Sequence, residues 1–334
     1  MLTGIQVAIA PAGDPDAVLS ARLRAAGATV GIGPAAITVT DPTHPPAAPV
    51  RIVATAAALP TALAVDATDL ALADAALAAL AGGARSGVWP AQVRLAAPPA
   101  PAIGVAAGVP DGLTAALARA ATATHSFADP GTVPDGLDAV VTTSAGPVAD
   151  GHCAVTVSVD GRPVTALARA FDDAVALDIA ALLTTGRRAD AAWPIPASGA
   201  VELVVFGAHL RGGPLVHQLT DLGARWMGEI STAARYRMTV LPTVPPKPAV
   251  TRVPDGTAGA ALYGHRWAMS AAALGRFLTA LPAPMQLGKV EFADGSWRTA
   301  FGADAAAATG ADISSFGSWP AAITAGAVDG AGQP

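Results

Sequence analysis

The stretch that decides the fold of the second half of this chain is Val205-Phe206-Gly207-Ala208-His209-Leu210-Arg211-Gly212-Gly213-Pro214-Leu215. It places an apolar strand before a tight glycine turn, and the proline after that turn fits the first turn of a new helix. The three glycines permit unusual backbone angles, so main-chain N–H groups can converge on a small anion such as a carboxylate. His209 is the imidazole at this junction. It either takes part in chemistry there or only caps the turn.

The composition fits a two-domain protein and excludes several classes of function. The chain has 334 residues, of which 52% are hydrophobic and 13% charged, and its net charge is −5. This length favours two hydrophobic cores. The chain has no basic cluster with which to bind nucleic acid. Its apolar runs are too short for a membrane span and its start lacks the basic residues of a signal peptide, so we expect a cytoplasmic protein.

Cysteine and histidine usage gives no sign of a metal centre. Cys153 is the single cysteine, which excludes an internal disulfide and a cysteine-rich zinc site. Its flanking residues alternate like a strand, which predicts a buried, inert thiol. His44, His125 and His152 have no second ligand at a recognisable spacing. We therefore expect no metal and no cofactor.

Strands and helices alternate along the first half, which predicts an α/β fold. A strand at 5–9, a helix at 16–27 and a strand at 28–31 form the βαβ pattern of a parallel sheet. A proline-rich loop follows at 40–49. The remaining predicted elements are helices at 66–81 (beginning near Asp66 or Asp69), 111–124 and 171–184, and strands at 102–106, 137–142, 154–159 and 164–167.

The second half carries a longer series of motifs. In chain order they are Phe206-Gly207-Ala208-His209-Leu210, the segments 215–225 and 232–237, Lys247-Pro248, Arg252-Val253, Trp267-Ala268, the segments 275–277, 281–284 and 293–295, and the closing Asp312 to Trp319. From about residue 200 to residue 325, this order of motifs resembles the C-terminal domain of allophanate hydrolases. The resemblance implies an α+β fold with a small gamma-glutamyl cyclotransferase-like barrel around a cavity. It also implies a reaction, the decarboxylation of N-carboxycarbamate made by a neighbouring amidase domain.

The resemblance and the local chemistry together predict the site. The expected catalytic residues are His209 and Tyr236, although Tyr236 fits a packed strand aromatic equally well. The expected substrate-binding residues are Gly207, Ala208, Leu210, Gly213, Arg237 and His265. Further candidates for pairing with an anionic substrate are Arg211, Arg225, Lys247 and Arg252. His217 and Asp221 lie one helical turn apart, either as a functional pair or as a border histidine beside a solvated acid.

One position departs from the family pattern. Where the family usually has an acidic residue two positions before a tryptophan, this chain has His265-Arg266-Trp267. Strand alternation places Tyr263, His265 and Trp267 on one face. If that face lines the cavity, the change from carboxylate to imidazole favours a more anionic ligand or different acid–base chemistry. If it faces solvent, the change has no consequence for the site.

The first half resembles an amidase-signature domain in Leu2 to Ile9, Asp16 to Gly27, Ile103 to Val105, and Asp160 to Val164 with Ala170 to Ala174. Amidases of this kind carry a catalytic lysine after the first strand, and its place here is Ala10. Their Gly/Ser-rich catalytic stretch is missing between Gly33 and Val50. Serine attack on an amide needs a base and an oxyanion donor set. We therefore interpret this half as a pseudo-amidase. Ser20, Ser86, Ser126 and Ser144 of this half are expected to be ordinary surface or turn residues.

These interpretations divide the chain into a degenerate amidase-like domain (1–185), a linker (186–199), an allophanate hydrolase C-terminal-like domain (200–325) and a flexible tail (326–334). Two classes of function remain open. In the first, the C-terminal domain is an enzyme that acts on a small carboxylated urea or carbamate. In the second, the protein is a non-catalytic scaffold or regulatory subunit that binds an amidase or a urea carboxylase. Association as a homodimer is a further expectation.

Overall fold

A computed structural model describes residues 2–9, 18–31, 34–41, 47–53, 63–81, 91, 93–121, 123–127, 131–143, 148–149, 151–187 and 200–328. The chain divides into two compact units, Met1–Gly199 and Ala200–Pro334. Within the described residues, no helix is long and apolar enough to cross a membrane. The linker expected at 186–199 falls almost wholly outside the described residues, as do Ala10, His44, Ser86 and Ser144.

The first unit is built on one mixed sheet with helices packed against it. The described strands are β1 (Gln6–Ile9), β2 (Thr29–Gly31), β3 (Ile37–Thr40), β4 (Val50–Val53), β5 (Ala64–Ala67), β6 (Ala102–Ala106), β7 (Ala123–Phe127), β8 (Ala139–Thr142), β9 (His152–Val159) and β10 (Arg162–Arg169). The helices are α1 (Val18–Ala25), α2 (Leu70–Ala81), α3 (Asp111–Ala120) and α4 (Asp173–Thr185). The strand order is β2-β1-β3-β5-β4-β9-β10-β8-β6-β7.

Local pattern and observed pairing agree at the start of this unit. β1 and β2 are parallel and joined by α1, which confirms the predicted βαβ unit. Helix α1 buries Leu19 and Leu23, one turn apart, as its apolar spacing indicates. The strands predicted at 154–159 and 164–167 belong to the antiparallel pair β9–β10, and Cys153 on β9 is buried, as expected.

Two predicted helix boundaries in this unit are wrong. Of the two starts considered for the helix at 66–81, the one near Asp66 fails because Asp66 lies in β5, fully buried. There it accepts hydrogen bonds of 2.6 and 2.8 Å from the Arg51 guanidinium of β4. Helix α2 begins instead after Asp69, whose carboxylate accepts from the Leu72 N–H. The helix predicted at 111–124 ends at Ala120, and β7 follows it.

The second unit has a five-stranded sheet, a two-stranded ribbon and short helices. Its strands are β11 (Ala200–Val205), β12 (Arg225–Ser231), β13 (Tyr236–Leu241), β14 (Lys247–Arg252), β15 (Tyr263–Ser270), β16 (Met285–Glu291) and β17 (Trp297–Ala303). Its helices are α5 (His217–Thr220), α6 (Ala271–Ala280) and α7 (Trp319–Thr324). The sheet order is β12-β15-β11-β17-β16, and β13 pairs with β14 to form the ribbon.

The central strand of this sheet positions the functional residues. β11 pairs antiparallel with β15 and parallel with β17, so its side chains Leu203, Val204 and Val205 are fully buried. Beyond it, the Phe206 ring stacks with Phe292, with the ring centroids 6.5 Å apart. This packing fixes the position at which the chain leaves the core after Phe206. The residues that follow Phe206 form the glycine turn.

Helix α6 faces the core with Ala273 and Phe277, one turn apart on its buried side. It begins after Ser270, whose hydroxyl accepts from the Ala273 N–H at 3.1 Å. The prediction that Pro214 occupies the first turn of a helix is wrong. Helix α5 begins only at His217, and the residues from 207 to 216 form a series of turns.

Candidate functional site

The glycine corner, residues Gly207–Gly213, is held by its own backbone. The Leu210 N–H donates to the Gly207 carbonyl at 2.9 Å, and the Gly213 N–H donates to the Leu210 carbonyl at 2.7 Å. A Cβ atom at Gly213 would lie 2.4 Å from the Ala208 carbonyl oxygen, and one at Gly207 would lie 2.6 Å from the Pro248 side chain. These two glycines are therefore required by close approach. Gly212, at φ +82°, is required by its left-handed backbone.

The corner forms one wall of a cavity of about 630 Å³. Of the predicted site residues, Gly207, Ala208 and His209 line it, whereas Leu210 is packed into the core and Gly213 serves the turn. Polar or charged side chains in the lining are His209, His217, Gln218, Asp221, Lys247 and Arg276. Most of the remaining wall is apolar, with Leu215, Leu222, Pro246, Phe277, Met285 and Phe301 among its members.

His209 is held by aromatic rings on two sides and by one polar contact. Its ring is stacked with Phe301 and edge-on to Phe277, with both centroid distances 5.3 Å. Its Nε2 lies 2.9 Å from the Gln218 amide oxygen, which assigns the ring proton to Nε2 when that oxygen is the acceptor. Nδ1 makes no hydrogen bond within the described part of the chain. Nδ1 is therefore the ring nitrogen that remains for proton transfer.

Burial sets the charge of His209. Removal of the ring from water lowers the pKa of His209, and His217 lowers it further, while the hydrogen bond to Gln218 acts in the opposite direction. The imidazole is accordingly neutral near pH 7. A neutral imidazole can take up a proton when an anion arrives beside it, because the anion favours the charged form.

Two cations of the cavity have no acidic partner. Lys247, at the start of β14, and Arg276, on α6, both line the cavity, and neither side chain forms an ion pair with any described residue. Other arginines of this unit are neutralised: Arg252 by Glu291 and Arg266 by Glu202. Unpaired cations in a concave site favour an anionic ligand. Lys247 was among the sequence candidates for this role.

His217 and Asp221 both line the cavity, but they do not form the functional pair that was one of the two alternatives. The His217 Nδ1 lies 3.1 Å from the Pro214 carbonyl oxygen, and no contact joins the imidazole to Asp221. Within the described residues, no group of three metal-ligating side chains comes together. Asp221 instead adds one negative charge to the lining.

His265 lies outside the cavity lining, in a hydrogen-bonded chain behind the corner. The Arg211 N–H donates to its Nδ1 at 2.8 Å, and its Nε2 lies 2.8 Å from the Tyr263 hydroxyl. Because Nδ1 accepts, the proton is on Nε2 and is donated to Tyr263, whose own hydroxyl donates to Glu229. Burial, and then the bond to Glu229, raise the pKa of Tyr263 to about 12. His265 is 7% exposed, and it contacts the corner through the backbone of Arg211.

Burial also lowers the pKa of His265, with Arg211 acting in the same direction and Glu229 in the opposite one. The ring is therefore neutral near pH 7, as an acceptor at Nδ1 requires. The alternation predicted for β15 is correct in placing His265 with the buried Trp267. His265 nevertheless does not line the cavity, and Trp226 of β12 lies edge-on to its imidazole with the ring centroids 6.0 Å apart.

Tyr236 and Arg237 also lie apart from the cavity lining. Tyr236 is 2% exposed at the start of β13, and its hydroxyl accepts from the Glu291 N–H at 2.7 Å. Arg237 points to the other face of the ribbon and pairs with Asp312 at 3.1 Å. Both side chains therefore have partners within the fold, and the structure does not bring them to His209.

Sequence reasoning missed four residues of the site: Gln218, Arg276, Phe277 and Phe301. Gln218 follows the noted His217, so its position was visible, but its contact with His209 depends on the turns between them. The two phenylalanines come from α6 and β17, more than 60 residues along the chain from His209. Only the tertiary fold brings them together, and no spacing in the sequence signals such a contact.

Comparison with known proteins finds relatives of the second unit. Residues 201–324 match the allophanate hydrolase C-terminal domain family. The urea amidolyase of Lachancea kluyveri is 34% identical over 103 residues, and that of Saccharomyces cerevisiae is 32% identical over 106 residues. These segments cover 30% and 31% of this chain and 6% of each relative, so the chain spans a small part of their length.

Solved structures extend the likeness to the first unit at the level of fold. Kluyveromyces lactis allophanate hydrolase, in selenomethionine-substituted form, superposes with a TM-score of 0.68 at 16% identity, covering 97% of this chain and 89% of that chain. The K. lactis urea amidolyase gives a TM-score of 0.67 at 16% identity, covering 97% of this chain and 33% of that chain. Both units of this chain therefore share the fold of those proteins.

Proposed function

We propose that the second unit, whose residues 201–324 match the allophanate hydrolase C-terminal domain family, removes CO₂ from N-carboxycarbamate or a closely related small carboxylate. This would place the protein in the metabolism of urea and carbamates, as the names of the urea amidolyase relatives suggest. The proposal includes the small barrel of the gamma-glutamyl cyclotransferases for this unit. The five-stranded sheet and the β13–β14 ribbon support that architecture.

One observation carries the proposal. Among the residues that the structure describes, the Nδ1 of His209 makes no hydrogen bond, and Lys247 and Arg276, which line the same cavity, form no ion pair. A proton-transfer group and charges for two carboxylates are the parts that this reaction needs. Tyr236, the other residue expected to be catalytic, is buried with its hydroxyl bonded to the Glu291 N–H, so we assign proton transfer to His209 alone.

The reaction consumes one proton. N-carboxycarbamate is a dianion, and when the bond from nitrogen to one carboxyl carbon breaks, CO₂ leaves and the electron pair stays on nitrogen. That nitrogen must gain a proton to become the amino group of carbamate. The dianion, once bound, raises the affinity of His209 for a proton, which Nδ1 takes from solvent and gives to the nitrogen.

The cavity lining favours the products. The substrate carries two negative charges, whereas carbamate carries one and CO₂ none. A largely apolar wall solvates a dianion poorly, so a step that lowers the total charge is favoured there. Lys247 and Arg276 are proposed to hold the two carboxylates while the central bond breaks.

We also propose that the first unit has lost amide hydrolysis. Residues 1–199 contain no lysine, and the family mechanism implied by the resemblance depends on one. Ser20 lies within helix α1, and Ser126 is exposed on β7. A separate amidase would then have to supply N-carboxycarbamate, and such an amidase is the proposed partner.

The test couples a well-characterised amidase to this protein and follows CO₂ release from the short-lived product. We expect the wild-type chain to accelerate release, and His209→Ala to lower the rate by at least about 10²-fold, the usual contribution of a positioned proton-transfer group. Gln218→Ala should give a smaller loss, because it removes only the contact to Nε2. Ser126→Ala is the control and should leave the rate unchanged. No acceleration by the wild type, or equal rates for wild type and His209→Ala, would refute the enzyme and favour a scaffold.

A further inference from the structure

The cavity is much larger than the ligand proposed above. N-carboxycarbamate has about seven non-hydrogen atoms, far fewer than the drug-sized molecules that cavities of roughly 300–1,000 Å³ enclose. The cavity volume here is about 630 Å³. A two-carbon dianion held near His209 would leave most of that volume to water.

The spare volume has an apolar wall. Of the 21 residues that line the cavity, 14 are apolar. They come from four parts of the chain around His209: residues 206–222, the ribbon with its prolines 245, 246 and 248, the end of α6 with the loop that reaches Met285, and Phe301 of β17. Transfer of an apolar group from water to such a wall is favourable in proportion to the area covered. A ligand with an apolar substituent would therefore bind more tightly than one without it.

The charges in the lining suit a single carboxylate while His209 is neutral. Lys247 and Arg276 contribute two positive charges and Asp221 one negative charge, so these three side chains give a net charge of +1 beside the neutral His209. A monoanion balances that charge without any protonation. A dianion balances it only after His209 has taken up a proton.

We propose that this cavity binds carboxylates and carbamates that carry an apolar substituent of about four to eight carbons, with the carboxylate at Lys247 and Arg276 and the substituent against the apolar wall. This inference rests on the proposed function for the place of the carboxylate near His209. It differs from the proposed function because the ligands it names are larger and less charged than N-carboxycarbamate. Binding of that class does not depend on turnover.

The first experiment measures binding of acetate, butanoate, hexanoate and octanoate to the full chain by isothermal titration calorimetry at pH 8. Each added methylene should lower Kd about three- to four-fold until the cavity is filled, as expected for burial of one methylene group. A Kd that does not change along the series, or no binding of octanoate, would overturn the proposal.

Variants on helix α6 test whether the chain-length effect belongs to this cavity. Ala280 is exposed and lines the cavity, while its exposed neighbour Thr279 does not. Ala280→Trp should weaken octanoate binding at least ten-fold and leave acetate unaffected, because the new ring occupies the apolar space. Thr279→Trp is the matched control and should change neither. Equal effects of the two variants would mean that octanoate binds elsewhere, which contradicts the proposal.

Charge variants test the place of the carboxylate. Lys247→Met and Arg276→Met should weaken every member of the series by a similar factor. Lys289→Met, on β16 outside the lining, should not. CO₂ release measured on the same samples separates the two proposals. Turnover without a chain-length effect refutes the ligand class alone, and a chain-length effect without turnover refutes the decarboxylase alone.

Discussion

Replacing His265 with phenylalanine is predicted to destabilise the second unit most at high pH. The substitution keeps an aromatic ring in a position that is 7% exposed, but it removes the acceptor of the Arg211 N–H, now 2.8 Å from Nδ1. Tyr263 retains Glu229 as its acceptor, so the substitution removes one hydrogen bond, that of the Arg211 N–H to Nδ1. Loss of a partly buried hydrogen bond of this kind costs about 1–2 kcal/mol in free energy of unfolding.

The pH dependence follows from the lowered pKa of His265. In the unfolded chain the imidazole titrates near its ordinary value of about 6.5, whereas burial lowers the pKa in the folded protein. The neutral ring therefore contributes fully to stability above pH 6.5, and that contribution is lost as the pH falls towards the folded value. The difference in stability between wild type and His265→Phe should be largest at pH 8 and should shrink below pH 6.5.

Urea unfolding followed by tryptophan fluorescence at pH 8, 7, 6 and 5.5 measures this difference. Four of the six tryptophans belong to residues 200–334, so the signal reports mainly on the second unit. His209 has a lowered pKa too, but it is present in both proteins and cancels in the comparison. His265→Gln, whose amide oxygen can accept from the same N–H, should recover part of the loss without the pH dependence. A gap that stays constant, or widens as the pH falls, would refute the assignment of Nδ1 as a neutral acceptor.

Two further predictions concern stability. Asp66→Asn should destabilise the first unit by about 3–5 kcal/mol, because it leaves the buried Arg51 without its carboxylate. Thermal unfolding followed by circular dichroism measures this loss, and an unfolding temperature of the first unit equal to that of the wild type would contradict it. Gly213→Ala should lower the stability of the second unit by about 1–3 kcal/mol, since the new Cβ would lie 2.4 Å from the Ala208 carbonyl oxygen. The matched Gly275→Ala, in open space on α6, should raise it by about 0.5–1 kcal/mol.

Local signals in the sequence predicted the local parts of the fold. Leu19 and Leu23, one turn apart and followed by Gly27, are enough to place α1 and to suggest the parallel pair around it. Asp66 shows where such signals fail. A charged residue beside an alanine-rich run fits a helix start, and only Arg51, in a strand that the pattern did not reveal, explains a fully buried carboxylate. Pairing between distant strands is set by tertiary packing, which no local pattern encodes.

The distinction between local and tertiary contacts also applies to the residues of the site. The turn of the glycine corner was predictable because its own backbone hydrogen bonds span only a few residues, whereas the contacts of His209 with Phe277 and Phe301 were not. Tyr236 and Arg237 were expected at the cavity because they sit among matched motifs. The structure shows that β13 turns Tyr236 towards Glu291 and Arg237 towards Asp312. Which face of a strand meets a cavity depends on its partner strand, and for β13 that partner is β14.

The substitution at His265 has a physical interpretation in this geometry. A carboxylate at that position, as the family resemblance leads us to expect, would accept the Arg211 N–H and would also place a negative charge behind the corner. A neutral imidazole accepts the same N–H through Nδ1 without that charge. Its Nε2 proton then leads through Tyr263 to the carboxylate of Glu229, so the negative charge lies two side chains further from the corner. The corner therefore keeps the hydrogen bond to the Arg211 N–H, while the electrostatic repulsion of an anionic ligand beside His209 becomes weaker.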